Sequence, residues 1–125
     1  MVKLTQHRQV ILDLINESNH HWEADEVAHT LKQRGHAIGI ATVYRGLAAL
    51  EAQALISSVQ LSDRKRYERA NKSHHDHLIC TSCGKIEEFI NDSIERQQNL
   101  AAKEKGFSIT GHQLVIFGIC RNCQG

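Results

Sequence analysis

The sequence predicts an α+β protein in two halves. Three short amphipathic helices and a candidate β-hairpin fill the first half. In the second, two Cys-x-x-Cys pairs, Cys80/Cys83 and Cys120/Cys123, bracket strand candidates and one helix. The first order is that of a winged helix-turn-helix, and the second is that of a small domain stapled by a metal ion. With 125 residues the chain is the size of one ordinary domain or two very small ones, and two small ones would each need a staple.

The first helix is expected over "TQHRQVILDLIN". Val10, Ile11, Leu14 and Ile15 recur there at helical spacing, and Thr5 is available as N-cap. In "EADEVAHTLKQRG", Ala24, Val27, Ala28 and Leu31 form one stripe. Acids crowd the start of this second helix, Lys32 and Arg34 lie in its last turn, and Gly35 stands where a C′ glycine belongs. A third helix, "ATVYRGLAALEAQ", opens just after Gly39, buries Val43, Leu47 and Leu50, and turns Thr42, Tyr44 and Arg45 outward. "LISSVQL" and "KRYER" then read as two strands around the polar turn "SDR". Arg64, Lys65, Arg66 and Arg69 make this hairpin basic, and a basic wing can grip phosphates without choosing sequence.

In the second half each Cys-x-x-Cys pair offers two thiolates from a tight turn, and two pairs complete the closed tetrahedron of a structural zinc site. The 36 residues (84–119) between the pairs must contain structure. "NDSIERQQNLAAKEKG" is expected to be a helix with Asp92 and Glu95 as a variant capping box and Gly106 at its end. Strands are expected at "LIC" and "KIEEF" before it and at "FSI" and "HQLVIFGIC" after it.

The stretch "SHHDHLICTSCGK" holds more metal ligands than one ion can use. If "HHDHLIC" is extended, His75 and His77 point to one face while His74 and Asp76 point to the other, so one strand can serve two ions. Neither pair suffices alone. The remaining candidate partners are His20, His21, Glu68, Glu95 and His112.

Charge and composition exclude little. Fifteen basic and fourteen acidic residues give a formal charge of +1, which is no electrostatic footprint for nucleic acid or anionic membrane. The start, "MVKLTQHRQV", has no apolar signal region, and no apolar run approaches a bilayer span, so no membrane association and a cytoplasmic location are expected. In that compartment thiols stay reduced and read as metal ligands before disulfides. A zinc hydrolase would also use His-x-His with carboxylates, but the zinc-deaminase signature needs a proline before Cys-x-x-Cys and the chain has none. A zinc-ribbon interaction module would leave Tyr44, Arg45 and the second histidine set unused.

"IGIATVYRGLAALEAQALI", "HHDHLICTSCGKIEEF" and the closing "CRNC" together resemble the ferric-uptake regulator family of bacterial metal-responsive repressors, over essentially the whole chain. The resemblance implies a winged-helix DNA-binding domain over 1–70 and a metal-binding α/β dimerisation domain over 71–125, with a hinge near Ala70 to Ser73. It implies a homodimer that binds A/T-rich inverted repeats when metal is bound, and no catalysis. Carried over by position, it implies structural Zn²⁺ on Cys80, Cys83, Cys120 and Cys123 and a regulatory ion between the domains on His21, Glu68, His75 and His77. A further site on His74, Asp76, Glu95 and His112 is implied as well. For DNA it implies Tyr44 and Arg45 on the third helix, with Thr42 nearby and Arg8 on a phosphate.

With every cysteine assigned to the structural site, the regulatory ligands are imidazole and carboxylate. These suit Fe²⁺ or Mn²⁺ and also accept Zn²⁺. Iron is the expected corepressor, zinc sensing the alternative and peroxide sensing a third. Many members carry a basic segment before the first helix. This chain starts only a few residues ahead of it, so fewer DNA contacts are expected, and no tail site is expected after Cys123.

Overall fold

A computed structural model describes residues 4–61, 63–70 and 74–125. The chain divides into two compact units, Met1–Lys72 and Ser73–Gly125. Of the expected hinge, Ala70 to Ser73, residues 71–73 lie outside the described residues, as does Ser62 of the expected hairpin turn.

In the first unit, α1 (Gln6–Asn16) starts at Thr5, whose side chain accepts from the Arg8 N–H at 3.2 Å. α2 (Ala24–Gln33) is capped at Glu23. The Glu23 N–H donates to the Glu26 side chain at 2.9 Å, and Gly35 beyond the C-terminal end takes φ +90°. α3 (Ile40–Ala52) follows Gly39 and buries Val43, Gly46, Leu47 and Leu50. Gly46 is where α3 meets α1: a Cβ there would lie 2.9 Å from Ile11 Cδ1, so the close approach depends on a missing side chain. β1 (Ile56–Gln60) and β2 (Lys65–Arg69) pair antiparallel, with Ile56 opposite Arg69 and Gln60 opposite Lys65. Ile11, Leu14, Ile15, Val27, Leu31, Leu47, Leu50, Ile56 and Tyr67 share one apolar core with Ala24 and Val43. Three helices around a core, closed by a hairpin, is the winged-helix arrangement.

The second unit carries a three-stranded sheet in the order β4-β3-β5. β3 (Asp76–Cys80) runs antiparallel to β4 (Ile86–Phe89) and parallel to β5 (Val115–Gly118), and α4 (Asp92–Glu104) is the crossover between the two edges. Two expectations are corrected here. The N-cap of α4 is Asn91, whose side chain accepts from the Ile94 N–H at 3.1 Å, so Asp92 is the first helical residue and not the cap. "FSI" forms no strand: residues 107–114 run without regular structure, and pairing along β3 begins only where Val115 meets His77. Gly106, with φ +77°, turns the chain out of α4 as expected. No helix among the described residues is long and apolar enough to cross a membrane.

Candidate metal centres and nucleic-acid interface

The four cysteines come together because β3 and β5 end side by side. β3 finishes at Cys80, and a turn in which the Gly84 N–H donates to the Cys80 carbonyl at 2.9 Å presents Cys83. The parallel pairing sets Gly118 beside Cys80, and one 3-10 turn, Arg121–Cys123, folds Cys123 back towards Cys120. All four sulfurs lie within 4.8 Å of one another, and Cys83 and Cys120 are 3.8 Å apart. A tetrahedron with zinc–sulfur bonds of about 2.3 Å has edges of about 3.8 Å, so the cluster fits a four-thiolate ion.

Ionisation tells the same story. The backbone N–H groups of Cys120 and Cys83, at 3.3 and 3.4 Å from Cys80 Sγ, hold that thiol down at about 6. The neighbouring Cys120 sulfur, with Cys83, pushes the Cys123 thiol up to about 12. One thiolate is stabilised by backbone amides. Four at this spacing need a cation.

A second cluster uses the other end of β3. His74 and Asp76 stand two residues apart, Glu95 comes from the first turn of α4, and His112 comes from the segment entering β5. Their ligand atoms lie within 4.8 Å of one another. His112 Nε2 is 3.3 Å from Asp76 Oδ1 and 3.5 Å from Glu95 Oε1, while His74 Nε2 is 3.1 Å from Glu95 Oε1 and 3.7 Å from Asp76 Oδ1. Asp76 is 1% exposed, and its Oδ2 has no hydrogen-bond partner among the described residues. A buried carboxylate oxygen without a partner is costly, and a cation facing two carboxylates and two imidazoles removes that cost. The donor set is hard, nitrogen and oxygen only.

The other four expected ligands fall two to each unit. In the first unit, Trp22 and Tyr67 exchange backbone hydrogen bonds of 2.7 Å, which pins "HHW" along β2. That brings His21 Nε2 to 2.5 Å from the Glu68 carboxylate. His20 instead faces Glu26 at 3.3 Å and packs edge-on against Trp22, so it joins no ligand cluster. In the second unit, the His75 and His77 rings are 4.7 Å apart, and His75 Nε2 reaches Glu88 at 3.0 Å. Glu88 was not foreseen. It sits directly opposite His77 in the β3–β4 register, so the signal lay in strand pairing and not in the local sequence.

The expected DNA residues lie on α1 and α3. Tyr44 is 52% exposed, and Arg45 is exposed with its Nη2 donating to Thr42 Oγ1 at 3.1 Å, an i,i+3 contact that orders the guanidinium along the helix. The Arg8 stem passes Gly46 of α3, so Arg8 lies beside that helix.

Comparison with known proteins places this geometry. The ferric uptake regulator family matches residues 1–117. The chain is 46% identical over 125 residues to the ferric uptake regulation protein of Campylobacter jejuni, covering 98% of this chain and 80% of that protein. Its fold matches the Helicobacter pylori ferric uptake regulator, whose structure reveals three functional metal-binding sites, with a TM-score of 0.91 and 36% identity over 96% of this chain and 83% of that one. The iron-containing ferric uptake regulator of Francisella tularensis matches with a TM-score of 0.91 and 35% identity, over 99% and 96% of the two chains. Members of this family are transcription regulators and not enzymes. A helical unit closed by a hairpin, a sheet unit with a thiolate cluster, and these matches over nearly the whole chain give one conclusion: the protein belongs to the ferric uptake regulator family of metal-responsive regulators.

Proposed function

We propose that the protein is a homodimeric, DNA-binding repressor of metal-uptake genes with Fe²⁺ as corepressor and Zn²⁺ as structural ion. One observation carries the choice of iron. All four cysteines belong to a single cluster, which leaves only imidazole and carboxylate donors for regulation. The relatives named for ferric uptake, and the iron-containing Francisella structure, support the same reading.

The proposed regulatory ligands are His21, Glu68, His75 and His77. Each unit supplies two of them, too few alone for a tight site. A bound ion supplies a shared positive centre for donors from both units. His21 and Glu68 belong to the unit that carries Tyr44 and Arg45, so occupation of the site favours one disposition of the DNA-binding helices, and operator DNA in turn tightens metal binding. The His74, Asp76, Glu95 and His112 set is proposed as an additional metal site. Tyr44 is proposed to contact base methyls, and Arg45, Thr42 and Arg8 to contact backbone or bases of an A/T-rich inverted repeat.

The homodimer is supported by exposed apolar surface. Among the described residues, Leu78, Ile90, Leu100, Phe107, Ile109, Ile116, Phe117 and Ile119 of the second unit are all exposed, more than a monomer ordinarily shows on so small a unit. A symmetric pair of recognition helices then matches a palindromic site.

The test is anaerobic binding to an A/T-rich inverted repeat with free Fe²⁺, Mn²⁺ and Zn²⁺ buffered separately and the structural zinc kept in place. Activation by Fe²⁺ or Mn²⁺ at cellular levels is expected. Activation by trace Zn²⁺ alone makes the protein a zinc sensor, and indifference to all three metals overturns the switch. Tyr44→Ala is expected to abolish operator binding with metal content unchanged, and His75→Ala to remove the metal dependence.

A further inference from the structure

Three of the four hairpin cations, Arg64, Lys65 and Arg66, have acids close by. Lys65 Nζ lies 3.3 Å from Glu51 Oε1. Arg64 Nη1 lies 3.0 Å from Glu23 Oε1, and Arg66 Nε approaches the same oxygen at 3.7 Å. Arg64 is 54% exposed and Arg66 only 20%, so Arg64 is the cation best placed to reach outward. Glu23 is itself fixed, because it is the N-cap of α2 and its N–H is tied to Glu26. A cleft of the first unit is lined together by Tyr44 of α3, Glu23 and Asp25 at the start of α2, and Arg64 and Lys65 of the hairpin. A phosphate brought to Arg64 beside Tyr44 therefore competes with a carboxylate already paired with Nη1 of the guanidinium.

We infer that Glu23 acts as an electrostatic brake on DNA binding, holding Arg64 in an internal ion pair that the DNA phosphate has to replace. The inference rests on the DNA-binding reading given above. The exchange swaps one anion for another and leaves a carboxylate stranded near the duplex, so the phosphate contact gains little. Because the contact is to backbone, the brake lowers affinity for every sequence alike and leaves base reading by α3 intact.

The experiment compares the metal-loaded, full-length protein with Glu23→Gln, Arg64→Ala and the double variant. Binding is measured to an A/T-rich inverted repeat and to a scrambled duplex of equal length across a salt series. Glu23→Ser is included because serine is a good N-cap and removes the charge without loosening α2. One phosphate contact releases about 0.9 counterion, so each freed Arg64 is expected to tighten binding by up to about eightfold at ~0.1 M salt and to steepen the salt slope by about one per protomer. Both duplexes gain alike, and Arg64→Ala cancels the gain. Unchanged affinity in Glu23→Gln and Glu23→Ser overturns the brake, as does a loss of affinity or a gain that survives Arg64→Ala. If the wild-type protein binds neither duplex with any metal, the DNA-binding reading fails first, and the brake with it.

Discussion

In the first unit eleven side chains from three helices and the hairpin share one apolar core. In the second, Ile79 and Cys80 are the only buried apolar residues among those described, and α4 contributes none from its thirteen residues. The first unit is organised by burial, the ordinary driving force at about 25 cal/mol per Å². The second unit leaves most of its large apolar side chains on the outside, where Phe107 and Phe117 are exposed, while the carboxylate of Asp76 is buried. A unit of that size without a core needs a cross-link, and the place where β3 and β5 end together is where the thiolates stand. Burial and ligation are two answers to the same entropy cost, and they fail in different ways.

The largest expected effect comes from removing the proposed cross-link. Cys80→Ser, or chelation of the proposed structural zinc, is expected to unfold the second unit while the first keeps its helical signal. Metal content by elemental analysis and far-ultraviolet circular dichroism through a melt check this. An unchanged melting curve with zinc retained by Cys80→Ser rules the assignment out. Acid should act in the same direction, since protons compete with the ion for sulfur. The Cys80 thiol has its folded value lowered from 9.0 to about 6, so its contribution is complete above 9.0, declines as pH falls and is gone below about 6.

The converse break is in the core of the first unit. Leu47 of α3 is fully buried in the shared core, and Leu47→Ala leaves a cavity expected to cost about 2–5 kcal/mol. Urea denaturation followed by helical signal should show the loss, while zinc content stays as in wild type. If zinc is lost as well, the two units are not independent in stability, and the contrast drawn between them is too sharp.

How much of each unit was legible in the sequence follows from the same contrast. In the first, Ile11, Leu14, Ile15, Val27, Leu31, Val43, Leu47 and Leu50 recur at helical spacing, and local periodicity reports directly on a core built from amphipathic elements. In the second, the residue types announced the chemistry, because cysteine pairs and a histidine run are visible without any fold. Their surroundings were not visible. Glu88 faces His77 only through the β3–β4 register, which no local pattern fixes when the strand reads "IEEF" and carries no buried alternation. "FSI" looks like a strand because phenylalanine and isoleucine favour one, yet both side chains are exposed and no neighbour pairs with them. Asn91 displaced Asp92 as cap by one position, a shift that two adjacent good capping residues make invisible.

A smaller effect sharpens the picture at the entrance of the first unit. Thr5 accepts the Arg8 N–H, and Thr5→Ala should cost about 1 kcal/mol by leaving that donor to water. The cost should appear in the urea midpoint of the first unit alone. A larger loss would mean that Thr5 holds more than the first turn of α1.

The smallest expected effect belongs to the surface. Glu17, just past the end of α1, accepts two hydrogen bonds from Arg34 at the end of α2, of 2.6 and 3.0 Å, with both side chains about half exposed. The hydrogen bond from Arg34 holds the Glu17 carboxyl below its ordinary 4.5. A carboxylate whose folded value is lowered adds stability that is present above the unfolded value and is lost as pH falls through the folded one. Arg34→Ala should therefore reduce stability slightly at neutral pH and not at all in acid below the carboxylate range. High salt should shrink the neutral-pH difference, because water and ions screen the pair. Paired urea titrations of wild type and Arg34→Ala at neutral and acid pH decide it. A difference that persists in acid would mean that Arg34 acts through its aliphatic stem and not its charge, and that apolar contact governs even the rim of this unit.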